Sequence, residues 1–264
     1  MNVLDFGIGS IEAQLWLILF LSVRCGAALM AVPMIGGTAV PVQLRILLSI
    51  TLGYFVAAWV PLPAPPAMMS FAAVLALVQE IAVGLMLGFV LQLAFAVPLI
   101  AAEQISGTMG LAIATSIDPA SGAQAGALGT FFGLVLSLLF YATGAHLLWF
   151  DLLVESYRLL PAGQFAFGAW RAEAVVMFFG LGLSAATAIA LPVVLVLLLV
   201  QIVTGLIARS APSLNLFALG LPAGVLAGIA ALIIALPVMS VQLRGVIMDA
   251  IDASAALIQP TGAP

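Results

Sequence analysis

Apolar residues fill this chain in long blocks, not at the alternating or 3.6-residue spacing of a half-buried strand or a surface helix. Six blocks approach or exceed the roughly 20 residues that a helix needs to cross a bilayer. They cover residues 13–32, 42–60, 70–100, 127–150, 174–207 and 214–241. Turn-forming residues separate them. Pro33, Gly36, Gly37 and Pro41 close the first block, PLPAPP at 61–66 the second, and LLPAGQFAFG at 159–168 and RSAPS at 209–213 divide the last three. The pattern predicts an all-α, membrane-associated fold. The third and fifth blocks are too long for one straight crossing, since about 30 residues make roughly 45 Å of helix against a hydrocarbon core of about 30 Å. Both carry a proline, Pro98 and Pro192, and the sixth carries Pro222 and Pro237. These predict bent or broken helices or re-entrant hairpins, and irregular backbone at membrane depth requires a cover of protein or water.

Between the third and fourth blocks lies EQISGTMGLAIATSIDPASGAQAG, residues 103–126. It is rich in small residues and has no lysine, arginine or aromatic ring. Glycines widen its backbone repertoire, Met109 is a soft apolar group, and Asp118-Pro119 favours a turn. The segment reads as a pliable loop, longer than the 4–6 residues typical of a connector.

Composition narrows the functional classes. Of 264 residues, 65% are hydrophobic and 6% charged, and the net charge is −4. All six basic residues are arginine, divided almost evenly between alternate loops, so the positive-inside rule gives no orientation. No basic patch is present to neutralise phosphates, which disfavours nucleic acid as a partner. One cysteine, Cys25, excludes an internal disulfide, and one histidine, His146, excludes a zinc site built within the chain. No metal or cofactor is expected. The opening MNVLDFGIGSIEAQ lacks the positive region of a signal peptide, so the first block is read as a retained helix.

Some polar positions invite chemistry. Glu80, Gly84, Gly88 and Gln92 are four apart and share one helix face. That face is either a polar seam towards a partner or channel, or an internal helix contact with one satisfied carboxyl. Gly220, Gly224 and Gly228 repeat the spacing and read as intramolecular packing, as do Gln201 and Gly205. Arg24 lies deep in the first block and needs a carboxylate or carbonyls; Glu80 and Glu103 are the nearest in kind. A structural ion pair is the first reading, and a proton relay through Arg24, Glu80 and Glu103 the second. Cys25 reads as an inert buried thiol and His146 as an interfacial histidine. Ser184 in GLGLSAA lacks the glycine that follows a nucleophilic serine, and Gly180 and Gly182 follow no strand as a dinucleotide loop would.

Taken in order, QE…G…G, GTMGLAIATSIDP, HLLWFDLLVESYRLLPAG and RSAPSLNLFALGLP resemble the FliR family over nearly the whole chain. FliR is a subunit of the flagellar type III protein export gate. The resemblance implies a FliP-like part at 1–170 and a FliQ-like hairpin with a tail at 171–264. It implies assembly with FliP and FliQ at the entry of an export channel in the bacterial inner membrane, raised towards the periplasmic side. Unfolded flagellar proteins would be the substrates, and no enzymatic chemistry is expected. By the same resemblance Ser106, Gly107, Thr108, Met109, Gly110, Asp118 and Pro119 belong to a loop that plugs the closed pore. Arg24, Glu80, Gly84, Gly88, Gln92 and Glu103 form a seam for subunit packing. Arg209, Pro212, Asn215, Phe217, Gly220 and Pro222 form the bend of the second hairpin. Ala145 and Ser213 depart from the family wording, where glycine and glutamine are expected. Injectisome relatives share the same core, and DPASGAQ and LLPAG lean flagellar.

Overall fold

The computed structural model describes residues 8–37, 40–63, 65–110, 126–163, 172–210 and 216–259. These form eight helices and, among the described residues, no strand. They are α1 (Ile8–Ala31), α2 (Pro33–Gly36), α3 (Val42–Trp59), α4 (Phe71–Met109), α5 (Ala127–Ala142), α6 (Ala145–Leu159), α7 (Ala172–Ser210) and α8 (Leu216–Ile258). The all-α expectation holds, because every apolar block can satisfy its backbone only within itself.

Of the expected bends or breaks, no break falls at a proline. Pro98, Pro192, Pro222 and Pro237 all lie inside continuous helices. The third block extends to Met109, giving α4 39 residues, roughly 58 Å at 1.5 Å per residue. The fourth block, in contrast, breaks at Thr143–Gly144. Thr143 closes α5 by donating its amide to Leu139 O at 2.9 Å. Gly144 then takes the left-handed region, φ 72°, where a side chain would strain the backbone. Its carbonyl accepts the Leu147 amide at 2.9 Å and so starts α6. One glycine ends a helix and begins the next, and it does so without a proline.

By packing, the chain falls into two units. One comprises Met1–Leu93, Gly144–Phe178 and Asp249–Pro264, the other Ala94–Thr143 and Phe179–Met248. In the first unit, small residues set helix distances. A Cβ on Gly53 of α3 would lie 2.8 Å from Ser22 N and 3.0 Å from Ile18 O of α1. A Cβ on Gly88 of α4 would lie 2.5 Å from Ala28 O and from Ala31 Cβ. The backbones touch because no side chain separates them, as in membrane helix pairs generally. Trp16 donates its indole N–H to Pro66 O at 2.9 Å, tying the PLPAPP turn to α1. In the second unit, Phe95 of α4 and Phe140 of α5 meet edge to face at 5.8 Å, and Gly182 of α7 faces Val97.

Candidate functional site

Two constellations stand out. The first is a buried charged centre in the first unit, where Arg24 and Glu80 are both 0% exposed. Glu80 takes the guanidinium with both oxygens, Nε to Oε2 at 2.8 Å and Nη2 to Oε1 at 2.9 Å. The other donors go to the C-terminal end of α6. Nη1 donates to Ser156 O at 2.8 Å and to Ser156 Oγ at 3.1 Å, and Nη2 to Leu160 O at 2.9 Å. All five N–H groups of an arginine side chain are thereby used. The Tyr157 ring lies under the guanidinium at 4.1 Å. Its hydroxyl donates to Leu21 O at 2.5 Å, and Cys25 Sγ lies 3.3 Å from that hydroxyl. Arg24 thus joins three helices: it neutralises a carboxylate on α4, supplies a donor to the Leu160 carbonyl just past α6, and adds a second donor to the Ser156 carbonyl, which already accepts the Leu160 amide.

The close approach of α1 and α4 makes this reach possible. Gly84 is one turn after Glu80, and a Cβ there would collide with the carbonyl oxygen of Arg24 itself and sit 2.9 Å from Ala27 Cβ. Glu80, Gly84 and Gly88 therefore face α1 of their own chain. Gln92 is exposed beyond this contact and lines an apolar groove with Met30, Leu85 and Phe89. Glu103 is exposed and takes no part in the charged centre, whose donors are all filled. Ser184, also exposed, donates to Leu181 O of its own helix.

The second constellation is the base of the central segment, in the second unit. Ser106, Gly107, Thr108 and Met109 belong to the last turn of α4 and not to a loop. Thr108 Oγ1 lies within hydrogen-bonding distance of Gln104 O, 3.1 Å, and Ile105 O, 2.8 Å. Gly110 follows in the left-handed region at φ 82° and donates its amide to Gly107 O, which ends the helix. Met109 is 4% exposed. A Cβ on Gly228 of α8 would lie 2.7 Å from its Cγ and Cε and 2.8 Å from its Sδ. Gln201 of α7 donates Nε2 to Thr108 O at 2.8 Å. Beside these groups runs a cleft of about 200 Å³, lined also by Thr204, Gly220, Leu221 and Gly224. Asp118 and Pro119 lie outside the described residues.

At the expected hairpin bend, Arg209 is in the last turn of α7, and Phe217, Gly220 and Pro222 are within α8. Pro212 and Asn215 lie outside the described residues. Ser156, Tyr157 and Leu160, which complete the charged centre, were not singled out from sequence; they stand more than 130 positions from Arg24 or Leu21. Only the rule that a buried arginine must find carbonyls or a carboxylate pointed that way.

Among the described residues, five helices are long and apolar enough to cross a membrane, or six crossings if α5 and α6 form one broken span. The molecule is an all-α membrane protein whose first unit encloses the Arg24–Glu80 ion pair. Residues 15–250 match the model of a family described as bacterial export proteins, family 1. The chain belongs to that family, and within it to the FliR proteins. It is 34% identical over 223 residues to the flagellar biosynthetic protein FliR of Pectobacterium carotovorum subsp. carotovorum, covering 82% of this chain and 83% of the relative. It is 30% identical to FliR of Bacillus subtilis (strain 168), covering 92% and 95%. The surface presentation of antigens protein SpaR of Shigella sonnei is 33% identical over 54% of this chain and 55% of its own.

Proposed function

We propose that this chain is a core subunit of the flagellar type III export gate in the bacterial inner membrane. With FliP- and FliQ-family subunits it lines the entry pore for unfolded flagellar proteins. The FliP-like part is 1–170, the FliQ-like hairpin 171–264, and much of the chain is raised towards the periplasmic side. The segment 106–119 closes the idle pore, with Ser106–Met109 as its helical base. No catalytic step is assigned to any residue. The family match across 15–250 carries this reading.

The uncovered apolar surface supports assembly. Within the chain, about half of α4 is covered, whereas most of α3, α7 and α8 stays uncovered. Surfaces that apolar and that bare require lipid or other subunits. A stand-alone proton-coupled transporter is disfavoured because the Arg24–Glu80 pair is sealed and fully bonded. The likeness to SpaR supports an injectisome as the alternative setting. The native mass of the gently extracted chain from its own host tests the proposal. A large complex with several copies of two other small hydrophobic proteins is expected. A lone chain or a homo-oligomer that stays folded would overturn it. Motility lost on deletion of the chain would place it in the flagellum; secretion lost with motility intact would place it in an injectisome.

A further inference from the structure

The outward face of α4 carries one amide among apolar side chains. At three- and four-residue spacing it runs Val74, Val78, Ile81, Leu85, Phe89 and then Gln92, all exposed. Gln92 stands near the middle of this 39-residue helix, far from either end. Beside it runs a groove of about 570 Å³, lined by Met30 of α1, Met86 and Phe89 of α4 and Val176 of α7, all within the first unit. Gln92 is the one polar side chain in that lining. Among the described residues its amide has no hydrogen-bond partner.

A glutamine side chain offers two N–H donors and one acceptor oxygen. Lipid tails would fill the groove but leave all three unpaired, which is unfavourable in an apolar setting. The occupant that fits is apolar along most of its length, polar at one point, and satisfied in its own backbone, which describes a helix. Hydroxyls are poor partners for Gln92, because in these helices they are spent at home. Ser137, Ser184, Thr187 and Thr204 all donate to carbonyls of their own helix. An amide does reach across: Gln201 of α7 donates to Thr108 O of α4. Two facing amides can each donate and accept, and a lone polar group in an apolar stripe fixes the register of a helix pair. We infer that the groove beside Gln92 receives a helix of another subunit, and that this helix sets an asparagine or glutamine side chain against Gln92. The two methionines let the groove adapt to its occupant, while the amide pair sets where along α4 the occupant stops. The inference rests on the assembly proposed above.

The test uses host cells carrying the full-length chain with its native partners. Val176→azidophenylalanine puts a photoreactive ring at the edge of the groove, where Val176 is 71% exposed. Irradiation followed by peptide sequencing is expected to join it to a helix of a different subunit, with an asparagine or glutamine within two turns of the joined residue. Where that variant does not assemble, Met30→azidophenylalanine reads the same groove from α1. Gln92→Leu is then expected to lower the amount of that subunit retained in detergent about three- to tenfold, the range of one hydrogen bond between membrane helices. Leucine in place of the partner's amide should do the same, and the two changes together should do no more, because one bond is lost only once. Adducts with lipid alone, with this chain itself or a second copy of it, or with a helix that has no such amide would overturn the inference. So would retention that Gln92→Leu leaves unchanged or raises. The native mass separates the two claims. A large complex with only lipid joined at the groove leaves the assembly standing and overturns the amide contact; a lone chain removes the assembly and the contact with it.

Discussion

Glu80→Ala lowers the stability of the folded chain by about 3–5 kcal/mol, the usual effect of removing one partner from a buried ion pair. The cause is the group left behind. Arg24 is fully enclosed, and the carboxylate takes two of its five hydrogen bonds. Without Glu80 an uncompensated charge remains in a buried interior. Ser156 and Leu160 carbonyls can solvate it only in part. Glu80→Gln keeps the shape and one acceptor but not the charge, and should fall between wild type and Glu80→Ala. Arg24→Met combined with Glu80→Leu should recover much of the loss, since apolar replacement of a buried pair is often neutral. Recovery should be incomplete, because Leu160 O at the end of α6 loses the donor that Arg24 provides. Thermal midpoints of the detergent-extracted protein, read as a double-mutant cycle, check this. Equal effects of Glu80→Ala in wild type and in Arg24→Met would show that the pair is not coupled.

Gly84→Ala is expected to cost about 1–3 kcal/mol, the range of overpacking, and more if α1 separates from α4. The added methyl would meet backbone, the Arg24 carbonyl oxygen and, at 3.0 Å, the Ala28 amide nitrogen, and backbone cannot swing aside as a flexible side chain can. Gly133→Ala in α5 is the matched control. Its Cβ meets nothing within 4 Å, so the helix propensity of alanine should make it neutral or stabilising by up to about 1 kcal/mol. The same midpoint measurement on the two single variants decides it. Equal midpoints would mean that α1 and α4 are not held at the distance the Arg24–Glu80 pair needs.

Much of this architecture was legible in the chain because the bilayer leaves few choices. Long apolar blocks can only be helices, and proline and glycine clusters marked most of their ends. The failures were local. Prolines at 98, 192, 222 and 237 suggested bends or breaks; none breaks its helix, since a helix can lose one amide donor and continue. The break at Gly144 was missed because a single glycine in YATGAH carries little signal without its left-handed φ. The composition of SGTM suggested a loop; in the structure Thr108 satisfies its hydroxyl on the preceding turn, and α4 carries on to Met109. Arg24 announced a need for partners, and Glu80 was one of two acids offered. The carbonyls of Ser156 and Leu160 were not readable, because no spacing rule links positions so far apart. Likewise, Met109 among glycines and Gly228 in a four-residue glycine repeat were each visible. Their contact was not, since it depends on how α4 meets α8.

We propose that this chain closes an export pore with its own middle segment. The most direct measurement is the conductance, in a planar bilayer, of the purified native complex carrying either the intact chain or one lacking residues 111–117. A silent membrane is expected with the intact chain and a steady ion current with the shortened one, at equal amounts of assembled complex. A shortened chain that leaves the bilayer as silent as the intact one would contradict it.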